Sequence, residues 1–74
     1  MYAGRKLGVA IAQARANARW TGTPRYVRDY LGNQYVERDP PSDPSVNPYV
    51  EVSPDGTIAF HGEWHGTENI QIPD

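Results

Sequence analysis

Cysteine is absent from the 74 residues, so neither a disulfide nor a thiolate-held metal supports this fold. Aliphatic and phenylalanine side chains are scarce: two Leu, four Ile, six Val and one Phe, thirteen in all. A core built from so little is expected to leave a short chain with only about 3–5 kcal/mol of net stability. Two Trp and five Tyr add large buriable surfaces. Contact with another chain is the remaining kind of support. No apolar run reaches membrane-spanning length, so no membrane partner is expected. The first residues also lack the uncharged apolar run of a signal peptide, since Gly4, Arg5, Lys6 and Gly8 interrupt them. The cytoplasm or the interior of a viral particle is therefore the expected location.

Basic residues are missing from the second half. All seven lie in residues 1–38 (Arg5, Lys6, Arg15, Arg19, Arg25, Arg28 and Arg38), beside only Asp29 and Glu37. Residues 39–74 carry seven acids. Such asymmetry points to polyanion binding by the first half, to head-to-tail contact between copies, or to the two halves packing on each other.

What is present divides the chain into five stretches, read together as one small domain. Residues 1–22 are expected to hold a helix, because alanine dominates RKLGVAIAQARANARW and Gly22 supplies a left-handed stop. Leu7, Ala10, Ile11, Ala14 and Ala18 fall on one apolar stripe. Arg5, Arg15 and Arg19 fall beside it. Val9, Ala16 and Trp20 form a second apolar patch roughly opposite the first. A helix lying on its own sheet needs one apolar face, so the second is free for a partner, unless Trp20 folds back over the same core.

Residues 24–38 read as a hairpin or as a helix followed by a strand. The helix reading has Thr23 as cap, Pro24 at the first turn and Gly32 as stop. The hairpin reading, favoured by the Tyr and Val content, puts a type I turn at Asp29–Gly32. Val27 then faces Tyr35, and Tyr26 faces Val36. Residues 39–48 hold four prolines and read as an extended linker, crossing the domain surface or lying against a neighbour. Residues 49–65 carry the clearest signal. The turn Ser53-Pro54-Asp55-Gly56 sits between alternating strands, with Val52 facing Ile58 and Val50 facing Phe60. Extending that register puts Val46 across from Trp64. The tail, 66–74, offers Ile70 and Ile72 as a short strand, or as a segment that pairs with the sheet edge of another chain. The expected fold class is therefore α+β: an N-terminal amphipathic helix on a small antiparallel sheet of two β-hairpins.

Both histidines lie in 61-HGEWH-65. On a strand, His61, Glu63 and His65 would share one face, with neighbours roughly 6.5 Å apart. His61 and Glu63 are thus a weak metal candidate, with Glu51 as a carboxylate supplement, and no further histidine or cysteine completes the set. The plainer expectation has His61 beside Tyr49 on the solvent face and Trp64 anchoring the strand from the other side, with Gly62 and Gly66 marking a bend. No metal and no other cofactor is expected. Serines occur only in the linker and the SPDG turn, so an activated nucleophile is not expected either. The expected protein is not an enzyme.

The leading expectation is a structural or protein–protein interaction protein, a small subunit of a larger assembly such as a virion. It contacts copies of itself or other chains through Val9, Arg15, Arg19 and Trp20. The alternative is a nucleic-acid-binding module using Arg5, Arg15, Arg19, Arg25 and Arg28 to track phosphates. A third reading has acidic residues 39–74 imitating a phosphate backbone to inhibit a nucleic-acid-binding protein.

Overall fold

A computed structural model describes residues 1–65, 67 and 70–73. Among them one helix, α1 (Leu7–Thr21), lies on a sheet of four antiparallel strands. These are β1 (Arg25–Tyr30), β2 (Asn33–Glu37), β3 (Tyr49–Val52) and β4 (Ile58–His61), in the order β2-β1-β3-β4. The fold is α+β, and residues 24–38 form a hairpin rather than a helix and strand.

The helix ends where expected. Gly22 adopts φ 73° and donates its N–H to the Ala18 carbonyl at 2.8 Å, a conformation that a side chain would disfavour. Its start has neither a side-chain cap nor an acid in the first turn, so the dipole of α1 is unassisted there. Gly8, Ala10, Ile11, Ala14 and Ala18 are buried on one stripe. Small side chains let this stripe approach the sheet closely. Ala10, Ile11 and Ala14 meet Val27, Val36, Val50 and Val52 in one cluster, flanked by Leu7, Ile58, Trp64 and Ile72.

The β1–β2 turn differs from the expected one. Tyr30 pairs with Asn33 and Val27 with Val36, so the loop is the two residues Leu31-Gly32, with φ of 51° and 81°. Two consecutive positive φ values are those of a type I′ turn, whose twist matches that of the strands. The expected three-residue loop would have opposed Val27 to Tyr35. A slip by one residue exchanges the two faces of a strand. In the observed register Val27 and Val36 both face the helix. Burying two valines, at roughly 1.5–3 kcal/mol each, outweighs the roughly 1–2 kcal/mol of holding Leu31 left-handed.

The β3–β4 hairpin has the expected register, with Val52 opposite Ile58 and Val50 opposite Phe60. Gly56 N–H donates to the Ser53 carbonyl, Gly56 adopts φ 92°, and Asp55 Oδ1 accepts from Thr57 N–H at 2.9 Å. That hydrogen bond holds the Asp55 carboxyl below the usual carboxylate range. The register does not continue to Val46 and Trp64. Pro48 lacks an amide donor, β3 begins only at Tyr49, and Val46 is exposed. Trp64 still reaches the core margin, against Phe60.

Residues 1–4 form an additional edge that the sequence did not reveal. Ala3 N–H donates to the Gln34 carbonyl at 2.7 Å, Gln34 N–H to that of Gly4 and Val36 N–H to that of Met1, both at 2.8 Å. Tyr2 bridges Tyr35 in antiparallel fashion. The free side of β2 is thereby paired. Since β2 and β3 both run antiparallel to β1, residues 38–48 must cross β1. They cross on the face away from α1, against Arg28, Glu37 and Gly62. Among its described residues the tail forms no strand; Ile72 packs on the core and Gln71 lies over Gly8.

The turn yields a test. Leu31→Asn should stabilise the chain by about 1 kcal/mol, because Asn tolerates the left-handed region that Leu resists. Thermal unfolding should show a rise of roughly 4–8 °C. An unchanged or lower melting temperature would mean that the turn is not type I′ in solution.

Candidate interaction surface

Helical phase places Val9, Ala16 and Trp20 on the side of α1 opposite the buried stripe. All three are exposed, Trp20 at 90 % and Val9 at 44 %. Trp20 therefore does not fold back over the core. An indole left in water gives up the burial that makes aromatic side chains valuable. The tail borders this patch, since Val9 shares a shallow groove with Lys6, Gln71, Ile72 and Pro73. Gly8 makes that seating possible: a Cβ there would run into the Gln71 carbonyl. Arg15 reinforces it, donating from Nη2 to the Pro73 carbonyl at 2.7 Å.

The five arginines of the nucleic-acid reading do not share a face. Arg5 lies beside Gly32 at one end of the molecule, and Arg19 beside Gly56 at the other turn. Arg25 folds back on its own segment, donating to Thr23 Oγ1 at 2.8 Å and to the Pro24 carbonyl. Arg28 is on the far side of the sheet, 3.3 Å from Glu37 Oε1 and 4.8 Å from the centre of the Tyr35 ring. What remains on α1 is Arg15 and Arg19, with Arg5 and Lys6 just before its start. No described carboxylate lies within ion-pairing distance of any of these four. Residues 5–21 contain no acid of their own. The helix side therefore presents an exposed indole beside basic residues that, among the described residues, have no carboxylate in ion-pairing range.

The far face of the sheet is an aromatic layer. One row across the strands reads Tyr35, Arg28, Tyr49 and His61, and the next reads Glu37, Tyr26, Glu51 and Ala59. Tyr49 is buried, its ring stacked on His61 at 4.7 Å and edge-on to Tyr26 at 5.8 Å. Burial first, then the Glu51 carboxylate and more weakly Tyr49 and Asp39, pushes the Tyr26 phenol upward, which keeps it neutral. The linker roofs this layer, enclosing an open cleft of about 560 Å³ lined by Arg28, Glu37, Arg38, Asp39 and Pro40. Asp43 shapes the roof, accepting from the Ser45 hydroxyl at 2.6 Å and the Ser45 amide at 3.0 Å.

The histidine stretch resolves into the plainer arrangement. His61 Nε2 lies 3.4 Å from Glu51 Oε1, but the angle makes no hydrogen bond and Nε2 is buried without a hydrogen-bond partner. Strand β4 ends at His61, and Gly62 follows with φ 87°, so Glu63 and His65 leave the strand and do not join His61 on one face. Gly66 lies outside the described residues. Among the described residues no group of three histidine or carboxylate side chains converges on a metal-sized site. Trp64 Nε1 donates to the His61 carbonyl at 3.0 Å and tethers the end of β4.

Sequence reasoning missed the aromatic layer as a unit. Its signal was the alternation Tyr26, Arg28, Tyr30 and Tyr35, Glu37, which becomes a surface only once β1 is known to lie between β2 and β3. Comparison with family models, with curated proteins and with solved structures finds no match.

Gly8→Ala tests the seating of the tail. Helix propensity alone would favour alanine by about 1 kcal/mol. The collision with Gln71 should instead lift Ile72 from the core, lower the melting temperature and raise amide exchange at Ile72. A higher melting temperature would show that the tail does not occupy the groove.

Proposed function

We propose that the chain is a non-enzymatic interaction module that acts as a small subunit of a larger protein assembly. The observation that carries this reading is Trp20, nine-tenths exposed on a helix face that its own fold does not need. Tryptophan is the side chain most enriched where truncation costs binding most. Val9 and Ala16 extend the apolar surface along α1, and the basic residues beside it, Lys6 and Arg19, fit a partner with an acidic rim. Fifteen residues of helix are about 22 Å long, enough to fill a groove in the helix-binding mode of recognition. The nucleic-acid reading draws less support, because Arg25 and Arg28 are turned away from the helix stripe.

The test pairs Trp20→Ala with Val9→Ser. Arg15 is spared because it holds the tail. A photo-crosslinking residue at position 20 identifies the partner in the native source. Recovery of that partner by the double variant should fall by more than about tenfold, as expected for loss of a tryptophan anchor. Stability should stay within about 0.5 kcal/mol, as for other exposed positions. Undiminished recovery at unchanged stability would rule out α1 as the interface.

A further inference from the structure

We infer that β4 is a self-pairing edge, through which two copies of this chain join their sheets antiparallel about a twofold axis. The two sides of the sheet are treated differently. Residues 1–4 pair with β2. Apart from β3, the described residues make one bond to the backbone of β4, from Trp64 Nε1 to the His61 carbonyl at its end, and none to Ile58, Ala59 or Phe60. Sheet edges that must stay single are usually guarded by charge, proline or a bulge. Thr57-Ile58-Ala59-Phe60 has neither charge nor proline, and its pairing with β3 is regular.

The hydrogen-bond phase of the hairpin sets the register. Ser53 N–H donates to the Thr57 carbonyl at 2.9 Å, so these two form a bonded pair. Alternation then makes Glu51–Ala59 and Tyr49–His61 the bonded pairs of the ladder. The N–H and C=O groups of Ile58 and Phe60 therefore point away from β3, into the open edge. Four outward groups on residues two apart are self-complementary. With Ala59 opposite Ala59 of the second copy, Ile58 of each chain bonds Phe60 of the other, and all four groups on each strand are used. The side chains agree with this phase. Ile58 and Phe60 lie on the helix side of the sheet, and Phe60 is 42 % exposed beside Trp64, so the dyad extends one apolar strip across both copies. Exposed Ala59 lies on the far face and leaves room at the axis.

Self-complementarity of this uncharged edge makes a second copy its occupant. The same register brings the Ser53–Gly56 turn of one chain beside the end of β4 of the other. Arg19, on the helix side, reaches that turn, its Nη2 lying 3.5 Å from where a Cβ on Gly56 would be. The β4 contact is separate from the Trp20 face, and either can fail without the other.

Single cysteines introduced into the otherwise cysteine-free chain provide the test. Across the axis, the two Ala59 Cα atoms would be about 4.5 Å apart, within disulfide reach. The two Thr57 Cα atoms would be roughly 13 Å apart, beyond it. Under a redox buffer, Ala59→Cys should form a covalent dimer at least about tenfold faster than Thr57→Cys. Ala59→Lys and Ala59→Glu should each sediment as monomers with unchanged circular dichroism, and their mixture should recover the dimer. Amide exchange of the wild-type chain should show Ile58 and Phe60 becoming protected as concentration rises. Equal cross-linking rates at the two positions would overturn the inference. So would protection of both amides in the dilute monomer, which would mean that the chain covers its own edge.

Discussion

Everything in this molecule depends on how closely α1 can approach the sheet. Its buried stripe is glycine and alanine apart from Ile11, and the strands answer with Val27, Val36, Val50 and Val52. The largest fully buried side chains are Ile11 and three of these valines. No phenylalanine, leucine or tryptophan lies at the centre. A core of small residues compensates by short distance, since dispersion falls steeply with any gap. It also leaves little to lose: one misplaced methyl group at this interface is felt directly.

The remaining elements read as supports for that thin layer. Residues 1–4 pair with β2, the tail seats Ile72 beside the helix, and the linker roofs the tyrosines of the far face. Each spends backbone in order to cover an edge or face that a larger core would cover with side chains. Among the described residues these supports leave open the outer side of α1, where Trp20 stands in water, and the outer edge of β4 at Ile58–Phe60. Those are the two places where another chain has most to offer.

How much of this was legible in the sequence depended on whether local and long-range signals agreed. At Ser53-Pro54-Asp55-Gly56, turn chemistry and the alternation of Val50, Val52, Ile58 and Phe60 pointed to one register, which the structure has. At Leu31-Gly32 they conflicted. Leucine gives no hint of a left-handed residue, and only the shared burial of Val27 and Val36 fixes the turn. Val46 was misplaced because alternation was carried through Pro48, where the ladder cannot continue. The strap at residues 1–4 has no periodicity to detect, and its bonds are dictated by the β2 edge it meets. Gly8 gives no local hint of its role, since its close approach to Gln71 belongs to a contact more than sixty residues away. Of the candidate surface, Val9 and Trp20 were readable from helical phase alone. The dispersal of the arginines was not, because it follows from β1 being a central strand.

We propose that a chain with so thin a core draws part of its stability from contact with other chains. Thermal unfolding over a wide range of protein concentration tests it most directly. Linkage between folding and association requires the melting temperature to rise with concentration, from a monomer worth only about 3–5 kcal/mol. A high melting temperature that stays constant on dilution would contradict it, and would show that the alanine–valine layer suffices alone.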